Sequence, residues 1–240
     1  MFFLRRLYTF WCLTCFFVPL LLFFPFFLLL NSRKEWHNGV YVLNKIWAKI
    51  YFFCCFIHVN IQRKSVLSKN QNYVFCGNHT SYLDIVAMGL VVHQKHCFVG
   101  KDSLGKIPVF GAMFKRLHIS VNRASKISSY RSMVKMNDVV KEGKSLIIFP
   151  EGGIISKQPP KMSEFKEGAF RIAIENGVPI VPVSFPYNWI LLKDDGRFLP
   201  HWHELKIIIH EPIPTKDLTL QDIEMLKNKV FDVIQSGLTQ

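Results

Sequence analysis

The stretch Tyr73-Val74-Phe75-Cys76-Gly77-Asn78-His79-Thr80-Ser81-Tyr82-Leu83-Asp84 decides the reading of this chain. Tyr73 to Cys76 is a short apolar run, the pattern of a strand buried on both faces. A polar turn follows, and Ser81 to Val92 then reads as a helix. Ser81 can cap it, with Asp84 three residues on in the capping-box position. His79 therefore sits where a strand ends and a helix begins, which is where α/β sheets place their chemistry.

The same alternation runs outward. Strands are expected at His96 to Val99, His118 to Val121, Ser145 to Phe149, Ile180 to Phe185 and Leu205 to His210. Helices are expected from Ser125 to Lys141, ended by Gly143, from Glu167 to Glu175, closed by Asn176-Gly177, and from Leu218 to Ile234. Ile107 to Leu117, with Pro108 and Gly111, reads as irregular and partly helical, and Gln62 to Asn72 as a polar linker. This order predicts an α/β fold: a mixed, mainly parallel sheet flanked by helices. Residues 61–240 would form the catalytic domain and residues 1–60 an N-terminal helical membrane anchor.

Half of the 240 residues are hydrophobic and the mean hydropathy is +0.18. The excess lies at the start, because Leu7 to Leu30 holds no charged residue and is long enough to cross a bilayer. The run is too long for a signal peptide, and no small-x-small site closes it. Pro19 and Pro25 would kink or break a helix there. Arg5 and Arg6 precede the run, and Arg33 and Lys34 follow it, so charge selects no orientation. A re-entrant hairpin with both ends cytoplasmic meets that symmetry better than a single crossing. Val40 to Ile57 is a second helix-like stretch, with Lys45 and Lys49 one turn apart among apolar residues, as in an interfacial helix. A pair of core helices is the alternative.

The net charge is +13. No zinc-finger spacing, basic zipper or aromatic RNA-binding signature is present, so no nucleic-acid partner is expected. An anionic lipid surface suits the charge better. The six cysteines form no disulfide framework and read as buried thiols of a reducing compartment.

His79 and Asp84 can act together. A carboxylate one helical turn away can accept a hydrogen bond from one imidazole nitrogen and leave the other as a base. The plain alternative is a capping aspartate beside a core histidine. The neighbours add to the pair: Asn78-His79-x-Ser81-x-x-Asp84, then Val121-Asn122-Arg123, then Phe149-Pro150-Glu151-Gly152, then Val178-Pro179-Ile180-Val181-Pro182-Val183. In this order and spacing the set resembles the motif blocks of the glycerolipid acyltransferases, most closely the bacterial 1-acylglycerol-3-phosphate acyltransferases, over about residues 60–215.

That resemblance implies transfer of an acyl group from a thioester of coenzyme A or acyl carrier protein to a lysolipid hydroxyl, giving phosphatidate from lysophosphatidate. It implies no cofactor and no metal. His79 matches the family's catalytic histidine and Asp84 its partner. Substrate-binding residues would be Asn78, Ser81, Lys101, Arg123, Glu151, Gly152 and Lys166, with Arg123 on the acceptor phosphate. The place would be the cytoplasmic (inner) membrane, active site facing the cytoplasm. The chain departs from the pattern at Asn122, where Asp is usual, and at Gly153-Ile154, where Thr-Arg usually follows the glycine. Lys157, Lys161 or Lys166 could supply the missing charge; otherwise the acceptor is another lysolipid, such as a lyso-aminolipid. A catalytically silent membrane scaffold is the non-enzymatic alternative.

Other groupings carry less. His201-Trp202-His203-Glu204 with His210 has histidines but lacks ligand spacing. Gly143-Lys144-Ser145 is followed by a strand, not by the helix a P-loop needs. No Gly-x-Ser-x-Gly elbow of a serine esterase occurs.

Overall fold

The computed structural model describes residues 2–106, 110–122 and 125–239. Its seven strands are β1 (Val59–Arg63), β2 (Val74–Gly77), β3 (His96–Lys101), β4 (Ile119–Val121), β5 (Ser145–Ile148), β6 (Ile180–Ser184) and β7 (Leu205–Ile209). They form one sheet in the order β1-β7-β6-β2-β5-β3-β4. β2 pairs in parallel with β5 and β6, and β3 with β4 and β5, whereas β7 runs antiparallel to β6 and carries β1 in parallel with itself. The sheet is mixed and mainly parallel, as expected.

The helices are α1 (Phe2–Leu30), α2 (His37–Cys54), α3 (Leu83–Val91), α4 (Phe110–Leu117), α5 (Lys126–Lys141), α6 (Gly168–Glu175), α7 (Asn188–Leu191) and α8 (Ile223–Leu238). β2, β5 and β6 are buried along their whole length. Strand alternation sends their side chains into two cores. Phe75, Ile147, Val181 and Val183 meet α2 and α3 on one face. Val74, Cys76, Leu146, Ile148 and Ile180 meet α5, α6 and α8 on the other.

Three local readings change. The polar linker expected from Gln62 begins inside β1, an edge strand whose half-exposed Asn60 and Gln62 hide it among polar residues. The last helix starts later than Leu218: Thr219 and Asp222 form a capping box around a 3₁₀ turn, and α8 then runs on to Leu238. At α3 the Ser81 hydroxyl accepts from the Leu83 amide, and Asp84 reaches back to the Ser81 amide, so only half of the expected capping box forms.

α1 is one continuous 29-residue helix through both Pro19 and Pro25. It does not end in a crossing away from the domain. The chain turns at residues 31–36, and α2 returns alongside. The Tyr8 hydroxyl donates to the Cys55 carbonyl (2.8 Å) and the Trp47 indole to the Phe16 carbonyl (3.1 Å), which fixes the pair as antiparallel. Arg5 is hydrogen-bonded to His201, so both open ends of the hairpin lie at the sheet domain. α1 is long and apolar enough to cross a membrane, and only 11% of its apolar stretch is buried.

Candidate active site

The C-terminal ends of three adjacent parallel strands, β6, β2 and β5, meet at one edge of the sheet. Each sends a polar residue into the crevice: Asn78 and His79 after β2, Glu151 after β5, and Asn188 after β6. This is the place an open α/β sheet offers a substrate.

His79 Nδ1 lies 2.9 Å from Asp84 Oδ2. The same oxygen accepts from the amides of Thr80 (2.7 Å) and Ser81 (2.9 Å), and Oδ1 accepts from Asn188 Nδ2 at 2.7 Å. Asp84 and Asn188 are fully buried. N–H donors on both oxygens hold the carboxylate as an acceptor, so Nδ1 of His79 carries the proton and Nε2 presents its lone pair. The His79 ring stacks on Phe149 with centroids 4.2 Å apart and keeps 12% of its side chain exposed. A buried carboxylate thus orients an imidazole that keeps some contact with solvent.

The remaining expected residues fall into two groups. Asn78 is fully buried and exchanges two hydrogen bonds with the backbone of Phe185, 3.1 and 2.7 Å, which locks the end of β2 to the end of β6. Ser81 is also fully buried. Glu151 accepts from the amides of His79 (2.7 Å) and Ser163 (2.8 Å), one on each oxygen. Its visible work is to hold the histidine turn and the 163–166 loop together. Burial pushes its carboxyl above the usual range, against the pull of those two amides. Gly152 turns the chain after it with φ +89°, a left-handed conformation that suits glycine.

Lys101 is exposed at the end of β3, on the same sheet edge as His79. Lys166 is exposed, and its amide donates to the Pro150 carbonyl (2.8 Å), which ties its loop to the strand end that carries Glu151. Arg123 lies outside the described residues and follows β4 in the chain.

Sequence reasoning missed Asn188 and Phe149 as parts of the site. The signal was present, since each follows a buried strand directly or within a few residues, Phe149 after β5 and Asn188 after β6. The His201, His203 and His210 group disperses: His201 meets Arg5, His203 packs on Tyr187, and His210 bonds Ser184 Oγ at 2.8 Å. Among the described residues no group of three or more His, Cys, Asp or Glu is placed to hold a metal ion. Ser145 of the P-loop-like run accepts from the Tyr73 amide at 3.1 Å, a link between neighbouring strands.

Beside α3 an apolar cleft of about 170 Å³ opens between the hairpin and the sheet domain. Cys12, Phe16 and Tyr51 line it from the hairpin, and Leu83, Val86 and Leu191 from the domain. Leu83, the chain neighbour of Asp84, is in its wall, while His79, Asp84 and Asn188 are not.

Comparison with known proteins agrees with this arrangement. The chloroplastic 1-acyl-sn-glycerol-3-phosphate acyltransferase of Brassica napus is 30% identical over 192 residues, covering 79% of this chain and 54% of that protein. The 1-acyl-sn-glycerol-3-phosphate acyltransferase of Haemophilus influenzae is 29% identical over 173 residues, covering 70% and 68%. This chain spans little more than half the length of the plant relatives it matches. The crystal structure of the 1-acyl-sn-glycerophosphate (LPA) acyltransferase PlsC from Thermotoga maritima shares the fold, with a TM-score of 0.80 at 24% identity over 98% of this chain and 96% of that one. The acyltransferase family profile matches residues 58–186, more than half of the chain and the part that carries His79, Asp84 and Glu151, and on that match the chain belongs to the acyltransferase family.

Proposed function

We propose that this protein transfers a fatty acyl group from a thioester of coenzyme A or acyl carrier protein to the free sn-2 hydroxyl of lysophosphatidate, giving phosphatidate. The observation that carries this is the single chain of contacts from Asn188 through Asp84 to His79 Nδ1, which leaves Nε2 as the exposed base. His79 Nε2 takes the proton of the acceptor hydroxyl as that oxygen attacks the thioester carbonyl. Asp84 stabilises the imidazolium that forms. The tetrahedral intermediate collapses, the carbon–sulfur bond breaks, and the leaving thiolate takes the proton back from His79. No acyl-enzyme is needed.

Lys101, Lys166 and Arg123 would face the acceptor phosphate or the developing oxyanion. The first two stand exposed at the sheet edge that carries His79 or on a loop tied to it, and Arg123 follows β4 in the chain. The apolar cleft beside Leu83 would take acyl chain. The exposed apolar length of α1 supports a hairpin laid into one membrane, with the site at its surface. We place that membrane as the inner one, with the site facing the cytoplasm.

A second reading rests on Ile154, which stands half-buried in the loop after Gly152 where the family usually has an arginine. In that reading the acceptor is a lysolipid that needs less phosphate binding. One experiment separates the two: acyl transfer by purified protein in detergent, from labelled acyl-coenzyme A and acyl carrier protein, to a panel of lysolipids. Transfer to lysophosphatidate, lost at least 1000-fold in His79→Ala, is the expected result. Transfer only to another lysolipid, together with a large gain for lysophosphatidate in Ile154→Arg, would establish the second reading. Near-normal turnover by His79→Ala would overturn the mechanism.

A further inference from the structure

Away from the histidine site, a groove of about 500 Å³ runs between α2, the end of α3 and the edge strand β1. Lys45, Lys49 and Arg63 line it together with His93. Lys45 Nζ stands 2.7 Å from His93 Nδ1, and an Arg63 nitrogen stands 3.3 Å from His93 Nε2. A neutral imidazole has one lone pair on its ring nitrogens, so it can accept from one of these cations and not from both. Among the described residues no carboxylate lines the groove. The cluster is therefore short of acceptors, and it lacks negative charge.

The groove is also graded. Its other wall is apolar, formed by Phe52, Phe53, Ile57 and Leu90, of which Phe53 alone is exposed, with His58 beside them. Lys45, Lys49 and Phe53 follow at one-turn spacing on one side of α2, so the cationic end and the apolar end lie about 12 Å apart along the helix. Phe53 and Phe56 at the apolar end are largely exposed. That end lies where α2 finishes, beside the open end of the hairpin.

We infer that this groove is a second, non-catalytic site for one anionic phospholipid, its phosphate seated among Lys45, Arg63 and His93 and its acyl chain laid along Phe53. A free phosphate would leave exposed Phe53 uncovered. A nucleotide or an acidic protein segment would meet hydrocarbon where it needs polar contacts. An anionic lipid matches both ends at once: it supplies the missing acceptors, and its chain leaves by the apolar end toward the membrane. Such a lipid would pin α2 to the sheet edge at a point the catalytic residues do not touch. The inference concerns binding alone, and it is read without turnover, so it stands or falls apart from the acyl-transfer proposal.

The test uses the full-length protein in a non-ionic detergent. Native mass spectrometry follows retention of phosphatidylglycerol and of phosphatidylcholine of the same chains. One phosphatidylglycerol should bind at least tenfold more tightly than phosphatidylcholine. The double variant Lys45→Gln/Arg63→Gln should lose at least tenfold of that affinity with phosphatidylcholine binding and acyl transfer in detergent unchanged. Lys135→Gln, an exposed lysine on α5 across the sheet, should bind as the parent does. Thermal unfolding of the double variant reports whether it folds; if it does not, Lys45→Gln alone carries the comparison. Equal affinity for the two lipids, or unchanged binding by the folded variant, would overturn the inference. So would displacement of the lipid by millimolar inorganic phosphate, by coenzyme A or by an acidic peptide.

Discussion

Replacing Asp84 by Asn tests how the base is held and charged. Oδ2 of Asp84 takes three donors, from His79 Nδ1, Thr80 N and Ser81 N, and Oδ1 takes Asn188 Nδ2. An asparagine can meet the three donors only with its oxygen. Its amide nitrogen then faces Asn188, whose own Oδ1 is buried without a hydrogen-bond partner. A half-turn of the Asn188 amide presents that oxygen to the new donor. The variant therefore keeps the imidazole orientation and tautomer and loses only the charge. Neutral bonds in place of charge-assisted ones cost about 1–2 kcal/mol of stability, a fall in Tm of roughly 2–8 °C for a chain of this size.

The rate effect follows from the same geometry. In the proposed mechanism His79 takes the hydroxyl proton, and an imidazolium then forms 2.9 Å from the carboxylate oxygen. At an effective dielectric constant near 20, that attraction is about 5–6 kcal/mol. A transition state with about half the proton transferred gains about half of it, so kcat of Asp84→Asn should fall roughly 100-fold with KM little changed. Asp84→Ala, which also frees the imidazole and leaves the Thr80 and Ser81 amides without their acceptor, should fall at least tenfold further. Steady-state turnover of a labelled acyl thioester measures both. A rate within threefold of the parent would show that the charge contributes nothing. A fall to the level of His79→Ala at nearly unchanged Tm would show that the tautomer is lost and that the Asn188 half-turn does not occur.

The other expectations concern the supports. Glu151→Gln can accept from only one of the His79 and Ser163 amides, so it should lose about 1–3 kcal/mol in denaturant unfolding and about tenfold in kcat; unchanged stability would show that the brace is dispensable. In Gly237→Ala the new Cβ would stand 2.4 Å from Ser184 Oγ and 2.9 Å from His210 Nε2, forcing α8 off the sheet at a cost of about 1–3 kcal/mol. Activity per folded molecule should not change, because no catalytic contact passes through α8. Burial holds His96 and His210 at about 4 and His118 at about 3, below the ordinary 6.5. Unfolding lets them take protons, so the stability they contribute is complete above about pH 6.5 and is lost as pH falls toward 4, by up to about 1.4 kcal/mol per pH unit for each. The raised carboxyl of Glu151 works in the opposite direction, one group against three. Tm measured from pH 7.5 to 4.5 should fall, and less steeply in His210→Gln; a flat profile would contradict the buried neutral state.

Strand positions were legible wherever the strand is buried on both faces, because such strands read as unbroken apolar runs. β2, β5 and β6 were found that way, and with them the sheet edge that carries the site. β1 was not legible: at the sheet edge its residues are only partly covered, so Asn60 and Gln62 are allowed and resemble a linker. The His79–Asp84 pair was legible because its members are close in the chain: one turn separates them, and Asp84 at the start of α3 reaches back across it. Asn188 was not, because it reaches Asp84 across 104 residues through the pairing of β6 beside β2. The resemblance marked Glu151 for the acceptor, and only the coordinates show both its oxygens spent on backbone amides. The symmetric flanking charge suggested a hairpin folded within the 7–30 run; instead α1 runs unbroken through Pro19 and Pro25, with Arg5 and Arg6 at one end and Arg33 and Lys34 in the turn at the other, and it is α2 that returns alongside.

The strand order explains why the base sits on β2. His79 follows the strand that has β6 on one side and β5 on the other. From the β6 side, Asn188 reaches Asp84, and the Phe185 backbone is held by Asn78. From the β5 side, Glu151 reaches the His79 amide and Phe149 stacks on the ring. A histidine turn on an edge strand could be clamped from one side only. With both clamps in place, the backbone, the ring plane and the tautomer of His79 are each set by a different neighbour. None of those clamps uses Gly153 or Ile154, where the loop after Glu151 departs from the family pattern. Glu151 ties the far end of this loop, at Ser163, to the His79 turn, but Gly153 and Ile154 make none of the contacts that hold His79. In the proposed reaction a change at residue 154 can therefore alter which lysolipid is held while the clamps on His79 stay as they are, and Ile154→Arg should move acceptor preference while leaving the Asp84→Asn rate effect at the same roughly 100-fold.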